Sequence, residues 1–157
     1  MALNVFISYS TYDIQNARNL AGLVSQAGAQ PFISQYSLMP GTPLSPTIIN
    51  KIKNCDIFLL LWSENAKNSE WVSQEIGIAI GNNKTIIPLV LHQGIDLPGF
   101  IKDLKYIDVY KDPVAATNEI YSTIAIYVKQ KEQQEENIKI ILGVAGAILL
   151  FVAIAGK

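Results

Sequence analysis

The chain has 157 residues, enough for one domain of ordinary size and not for two. Its 12 Lys and Arg residues nearly balance 13 Asp and Glu, and the formal net charge of -1 argues against a nucleic-acid binder. With one cysteine and one histidine, the chain has no internal disulfide scaffold and no metal site built from several Cys or His ligands.

Five short segments have the composition of β-strands. The third and fourth contain continuously apolar runs, which suit strands buried on both faces. Pro88 lacks the amide that a central strand needs, so it indicates a strand nearer an edge or a bulge. The predicted strands are Asn4–Tyr9, Gln30–Ser34, Asp56–Trp62, Thr85–Leu91 and Tyr106–Tyr110.

Helical patterns fill most of the gaps between these strands, with Asp13, Ser45 and Ser69 as candidate N-caps. The predicted helices cover residues 13–28, 45–52, 70–80 and 112–130. Alternation of strand and helix predicts an α/β domain, with helices on both faces of a parallel sheet. Five strands favour a flavodoxin-like arrangement in the order 2-1-3-4-5.

In that arrangement a ligand binds at the carboxyl ends of strands 1 and 3, where the winding reverses. Ser8, Tyr9, Ser10 and Ser63 lie at these ends and are candidate binding residues. For Ser8 and Tyr9 a structural role is an equal alternative. Neither G-x-x-x-x-G-K-[ST] nor G-x-G-x-x-G occurs there. Strand 3 ends without the Asp of a phospho-acceptor receiver domain, so that function is excluded.

Trp71 and Glu75 are the candidate chemical pair. Their i, i+4 spacing places an indole and a carboxylate on one helical face. An indole can stack on a cationic aromatic ring, and a carboxylate can stabilise an oxocarbenium-like ribose. From spacing alone, the alternative remains that Trp71 packs on the sheet and Glu75 faces solvent.

Residues 140–156 contain no charged or strongly polar side chain. As a helix they would span about 26 Å, slightly less than a hydrocarbon core of about 30 Å. We predict a transmembrane tail anchor over residues 140–157, preceded by a polar helical stalk over 131–139. A buried core helix is the alternative, but such a helix normally keeps a polar stripe. No signal peptide is visible, so the domain at 1–130 is expected on the cytoplasmic side.

The motifs of residues 3–130 together resemble a TIR domain. Phe6-Ile7-Ser8-Tyr9 followed by Asp13 matches the first-strand motif of that family. Pro40-Gly41 lies in the long loop after strand 2, as in the family's BB loop. The third strand, 56–63, is similar as well, and Trp71 through Glu75 matches the W-x-x-x-E segment of the enzymatic branch.

This resemblance implies cleavage of NAD+ at the nicotinamide–ribose bond, with NAD+ as substrate and no cofactor or metal. The products would be nicotinamide and ADP-ribose or a cyclic ADP-ribose isomer. Glu75 would be the catalytic carboxylate, Trp71 would line the site, and Phe32 would lie near nicotinamide or, equally, in the core. Pro40 and Gly41 would line the site through the BB loop. Several family enzymes have basic residues just after the first strand. This chain has Ser10-Thr11-Tyr12, which leaves neutralisation of the pyrophosphate open.

The resemblance also implies a homo-oligomer with TIR–TIR contacts, in which the BB loop of one subunit completes the neighbouring site. Antiphage defence or cell-death signalling at a membrane is the expected role. The alternative is a non-catalytic adaptor that scaffolds partner TIR domains and does not need Glu75. A third possibility is that the tail forms part of a multi-subunit membrane effector, with the TIR domain as its trigger.

Overall fold

A computed structural model describes residues 1–34 and 44–155, with side chains as far as residue 146. The five-stranded sheet has the order β2-β1-β3-β4-β5, and every pairing is parallel. The predicted α/β class and strand order are therefore confirmed. The strands are β1 Asn4–Ser8, β2 Gln30–Ile33, β3 Ile57–Trp62, β4 Thr85–Val90 and β5 Ile107–Asp108.

Five α-helices accompany the sheet: α1 Ile14–Gln26, α2 Pro46–Asn54, α3 Glu64–Lys67, α4 Glu70–Gly81 and α5 Pro113–Ala155. Because side chains alternate along a strand, each face of the sheet carries its own core. Val5, Ile7 and other residues of one face pack on α1 and α5. Phe6, Phe58 and their neighbours on the other face pack on α2 and α4.

Pro88 lies in a strand that is next to the edge of the sheet. It pairs in register with Leu60 of β3, while the short β5 pairs with β4 only at Leu89 and Val90. Among the residues that the structure describes, no strand pairs with the outer side of β4 before Leu89. This explains why a residue without an amide is tolerated there.

Two local features differ from the sequence prediction. The chain enters α1 through a 3-10 turn, Thr11–Asp13, whose N-cap is Ser10. Asp13 is the N-cap residue of α1, as predicted, although its side chain makes no capping hydrogen bond. The short helix α3 was not predicted, because one turn is too short to show a hydrophobic period.

Helix α5 is continuous over 43 residues and includes the whole predicted stalk. Ala116, Ile120 and Ile124 are buried against the sheet. Further along, Lys131 Nζ lies 2.8 Å from Asp56 Oδ2, and Glu135 Oε2 lies 2.9 Å from the terminal amino group.

Within the described residues, no helix is both long and apolar enough to cross a membrane. The predicted span is thus not supported there. Its side chains from residue 147 onward lie outside the described part of the chain, as do the BB-loop residues Pro40 and Gly41.

Cys55 provides a pH-dependent test of the packing beside α2. Burial raises the pKa of its thiol from 9.0 to about 11, so the folded protein retains a proton that the unfolded chain loses. Its stabilising contribution is complete below pH 9 and is lost as the pH rises through 11. We expect the difference in unfolding free energy between wild type and Cys55→Ala to shrink by about 2 kcal/mol over this range, measured by urea denaturation. A difference in unfolding free energy that stays constant over this pH range would contradict the raised pKa of Cys55.

Candidate active site

A cavity of about 310 Å³ opens at the carboxyl edge of the sheet, where the strand order reverses between β1 and β3. One wall follows β1 and the other is formed by α3 and the start of α4. The described lining residues are Tyr9, Ser10, Thr11, Tyr12, Asn65, Asn68, Ser69, Glu70 and Trp71. Of the predicted binding residues, Tyr9, Ser10 and Trp71 are therefore brought together.

The cap of α4 determines where Trp71 and Glu75 lie. The Ser69 hydroxyl accepts a hydrogen bond from Val72 N at 3.3 Å, which fixes the start of the helix. Trp71 then falls in the first turn, half-buried at the cavity, and Glu75 follows one turn later. Glu75 is fully buried, so the alternative in which it faces solvent is wrong.

A hydrogen bond joins Glu75 to β1. Ser8 is fully buried, and its hydroxyl donates to Glu75 Oε1 at 3.0 Å. Strand alternation places Ser8 on the same face as Phe6, toward α4. Ser8, predicted as a substrate-binding residue, is thus observed as a partner of the carboxylate and is not among the described lining residues.

Tyr9 follows Ser8 in the chain and forms part of the cavity wall. Its hydroxyl donates to the carbonyl oxygen of Ser34. Burial raises the pKa of Tyr9, the charge of Glu75 raises it further, and Arg18 acts in the opposite direction. A phenol at this position remains neutral at neutral pH and keeps the proton that it donates to Ser34.

Asp13 connects the two walls of the cavity. Its carboxylate accepts hydrogen bonds from the Ser63 hydroxyl and, at 3.2 Å, from Asn65 Nδ2. Ser63 also accepts from Ala66 N at 3.0 Å and so caps α3. Ser63, predicted to contact the ligand, is fully buried in this network and is not among the described lining residues.

Phe32 lies at a different hollow, of about 360 Å³, between β2 and α2. Its ring centroid is 5.5 Å from that of Phe6, and Lys51 Nζ lies 5.2 Å from the Phe32 centroid. Phe32 is not among the described residues that line the cavity at Trp71. Phe32 is partly buried against the core of this face and lies apart from this cavity, so its position near nicotinamide stays a prediction.

Sequence reasoning missed Asn65, Asn68 and the bridging role of Asp13. Ser63 directly before Glu64 is an N-cap signal that could have revealed α3.

Of the described lining residues, none is Lys or Arg. No group of three His, Cys, Asp or Glu side chains in the described ranges could hold a metal ion. The arrangement suits a neutral sugar or a cationic ring near a buried carboxylate.

Replacement of Asp13 tests the connection between the walls. Asp13→Ala leaves the Ser63 hydroxyl and Asn65 amide without their acceptor, and we expect a loss of about 1–3 kcal/mol in unfolding free energy. Urea denaturation would measure it, with the exposed Asp103→Ala as the matched control. Equal stability of the two variants would show that the bridge is not stabilising.

A family model described as TIR domain matches residues 5–122. A probable 2′ cyclic ADP-D-ribose synthase from Brachypodium distachyon is 27% identical over 119 residues, which cover 74% of this chain and 48% of that protein. The chain thus spans about half the length of this curated relative.

Two solved structures have similar folds. The TIR domain of the Toll-related receptor TRR-2 from Hydra magnipapillata has a TM-score of 0.62 at 21% identity, covering 76% of this chain and 96% of that one. A TIR-STING receptor from C. gigas, solved in complex with 2′,3′-cGAMP, has a TM-score of 0.62 at 25% identity. That match covers 77% of this chain and 39% of the receptor.

Proposed function

Since the chain belongs to the TIR domain family, we propose that it cleaves NAD+ at the nicotinamide–ribose bond. The observation that carries the proposal is the position of Glu75, buried beside Ser8 and one turn from the indole at the cavity. The similarity to a probable 2′ cyclic ADP-D-ribose synthase supports the same substrate class. The products would be nicotinamide and either ADP-ribose or a cyclic isomer.

The proposed reaction breaks the bond between the ribose C1′ and the pyridinium nitrogen. Nicotinamide leaves as a neutral molecule with the bonding electron pair, and positive charge develops on the ribose. The Glu75 carboxylate stabilises this charge, and its burial strengthens the interaction because little water screens it. Water then attacks C1′ and releases a proton to give ADP-ribose. Attack by a hydroxyl of the same molecule gives a cyclic product.

The surrounding residues would bind and orient the nucleotide. Trp71 offers an indole face to a cationic ring, and the neighbouring wall offers Tyr9 and Ser10. Ser8 holds the carboxylate in position through its hydrogen bond. Ligand contacts by Pro40 and Gly41 remain predictions.

The sharpest test replaces the carboxylate. Glu75→Gln keeps the shape of the side chain but removes its negative charge, and we expect turnover of NAD+ to fall about 10²–10³-fold or more. Chromatography would measure nicotinamide release and identify the second product. Glu119→Gln, an exposed change on α5, is the matched control and should retain full activity. If concentrated wild type leaves NAD+ intact, the chain is better explained as an adaptor for partner TIR domains.

We also propose that the enzyme acts as a homo-oligomer. NAD+ carries a pyrophosphate, whereas no described residue that lines the cavity is Lys or Arg. A neighbouring subunit would supply the compensating cation and the BB loop. Activity per molecule is then expected to rise with protein concentration.

We also propose that residues 140–157 form a membrane tail anchor, which the uncharged sequence of residues 140–156 supports. Confining copies to a membrane plane would raise their effective concentration and favour assembly. The domain would lie on the cytoplasmic side, where depletion of NAD+ fits antiphage defence or cell-death signalling.

Truncation after Lys139 tests this role of the tail. We expect the shortened chain to keep the melting temperature of its domain but to assemble less in the presence of lipid vesicles, as measured by chemical crosslinking. Full-length chain in detergent and in vesicles provides the comparison. Equal self-association of the two chains in vesicles would refute the role.

A further inference from the structure

Ser34 is a buried polar residue whose side chain has no evident structural role in the described fold. It follows β2 directly and is 4% exposed. Its carbonyl oxygen accepts the hydrogen bond from Tyr9, whereas its hydroxyl has no hydrogen-bond partner in the described part of the chain. Buried hydroxyls nearly always have partners, so an unpartnered one needs an explanation, of which a bound ligand is one.

The register of the sheet places Ser34 beside the proposed reaction centre. Phe6 pairs with Phe32 and Ile7 with Ile33, so one further step brings Ser34 next to Ser8. Alternation then puts the Ser34 side chain on the face that carries Ser8, toward Glu75. Glu75 and Ser34 are both almost fully buried on this face of the sheet, and neither is among the described residues that line the cavity at Trp71.

We propose that the Ser34 hydroxyl binds a ribose hydroxyl of the substrate and thereby selects ribose over deoxyribose. This inference rests on the proposed function and names a specificity-determining contact in the same site. The C2′ and C3′ hydroxyls are the polar groups closest to the bond that breaks beside Glu75. A neutral serine hydroxyl can both donate to and accept from such a group, whereas a phosphate would favour a cation.

The experiment compares substrates across two proteins. Wild type and Ser34→Ala are assayed with NAD+ and with its analogues that lack the 2′- or the 3′-hydroxyl of the nicotinamide ribose. Because the same analogue is assayed with both proteins, its intrinsic reactivity cancels when wild type and Ser34→Ala are compared. For one of the two analogues, we expect the ratio of kcat/KM for NAD+ to kcat/KM for the analogue to be about tenfold lower in Ser34→Ala than in wild type. Unchanged preferences for both analogues would overturn the contact.

Stability distinguishes this role from a structural one. Removal of a buried hydroxyl without a partner should leave the denaturation midpoint of Ser34→Ala equal to or above that of wild type. The exposed Ser25→Ala is the matched control and should leave both midpoint and substrate preference unchanged. A clear drop in the midpoint of Ser34→Ala alone would reveal a structural partner and overturn the proposal.

A binding measurement separates failure of this inference from failure of the proposed function. If wild type does not cleave NAD+, calorimetry measures its affinity for NAD+ in both proteins. A loss of about tenfold in Ser34→Ala then supports the contact although the enzymatic proposal fails. Equal affinity, or no binding to wild type, overturns the contact. Cleavage by wild type with unchanged preferences in Ser34→Ala overturns the contact alone.

Discussion

The hydrogen bond between Ser8 and Glu75 is the interaction on which the site depends. A carboxylate removed from water loses several kcal/mol of solvation unless polar partners replace the water. The Ser8 hydroxyl is such a partner, and it belongs to the strand at which the winding of the sheet reverses. One contact therefore joins α4 to β1 and holds an acidic group beneath the place where this topology binds ligands.

Around this contact, hydrogen bonds between polar side chains cap a helix and also connect the walls of the cavity. Ser63 caps α3 and also donates to Asp13, which in turn holds Asn65. These bonds connect the segment after β1 with the segment after β3. The shape of the cavity is thus set by buried hydrogen bonds, whose geometry tolerates less variation than apolar contacts do.

The sequence was sufficient for the sheet and for part of the site. Apolar runs and alternation of elements predicted the five parallel strands and their order, and the spacing of Trp71 and Glu75 predicted their shared position on α4. The hydrogen-bond partner of each polar side chain could not be predicted from the sequence. The face on which a strand residue lies depends on the register of the sheet, and a one-turn helix is too short to show a hydrophobic period. Ser63 is predicted at the ligand, and Phe32 either near nicotinamide or in the core, whereas the structure places Ser63 in a cap network and Phe32 at a separate hollow, packed on Phe6.

The course of α5 relates the site to the tail. The helix begins near Val109 and Leu91, which follow β5 and β4 at the carboxyl edge. It then runs antiparallel to the strands, since Lys131 reaches Ala2 and Asp56, which precede β1 and β3 at the amino edge. From Ile138 onward, described apolar side chains such as Ile141 are exposed, beyond these contacts. This end of the helix therefore lies on the side of the domain opposite the cavity, so the tail anchor proposed above would leave the site open to a soluble nucleotide.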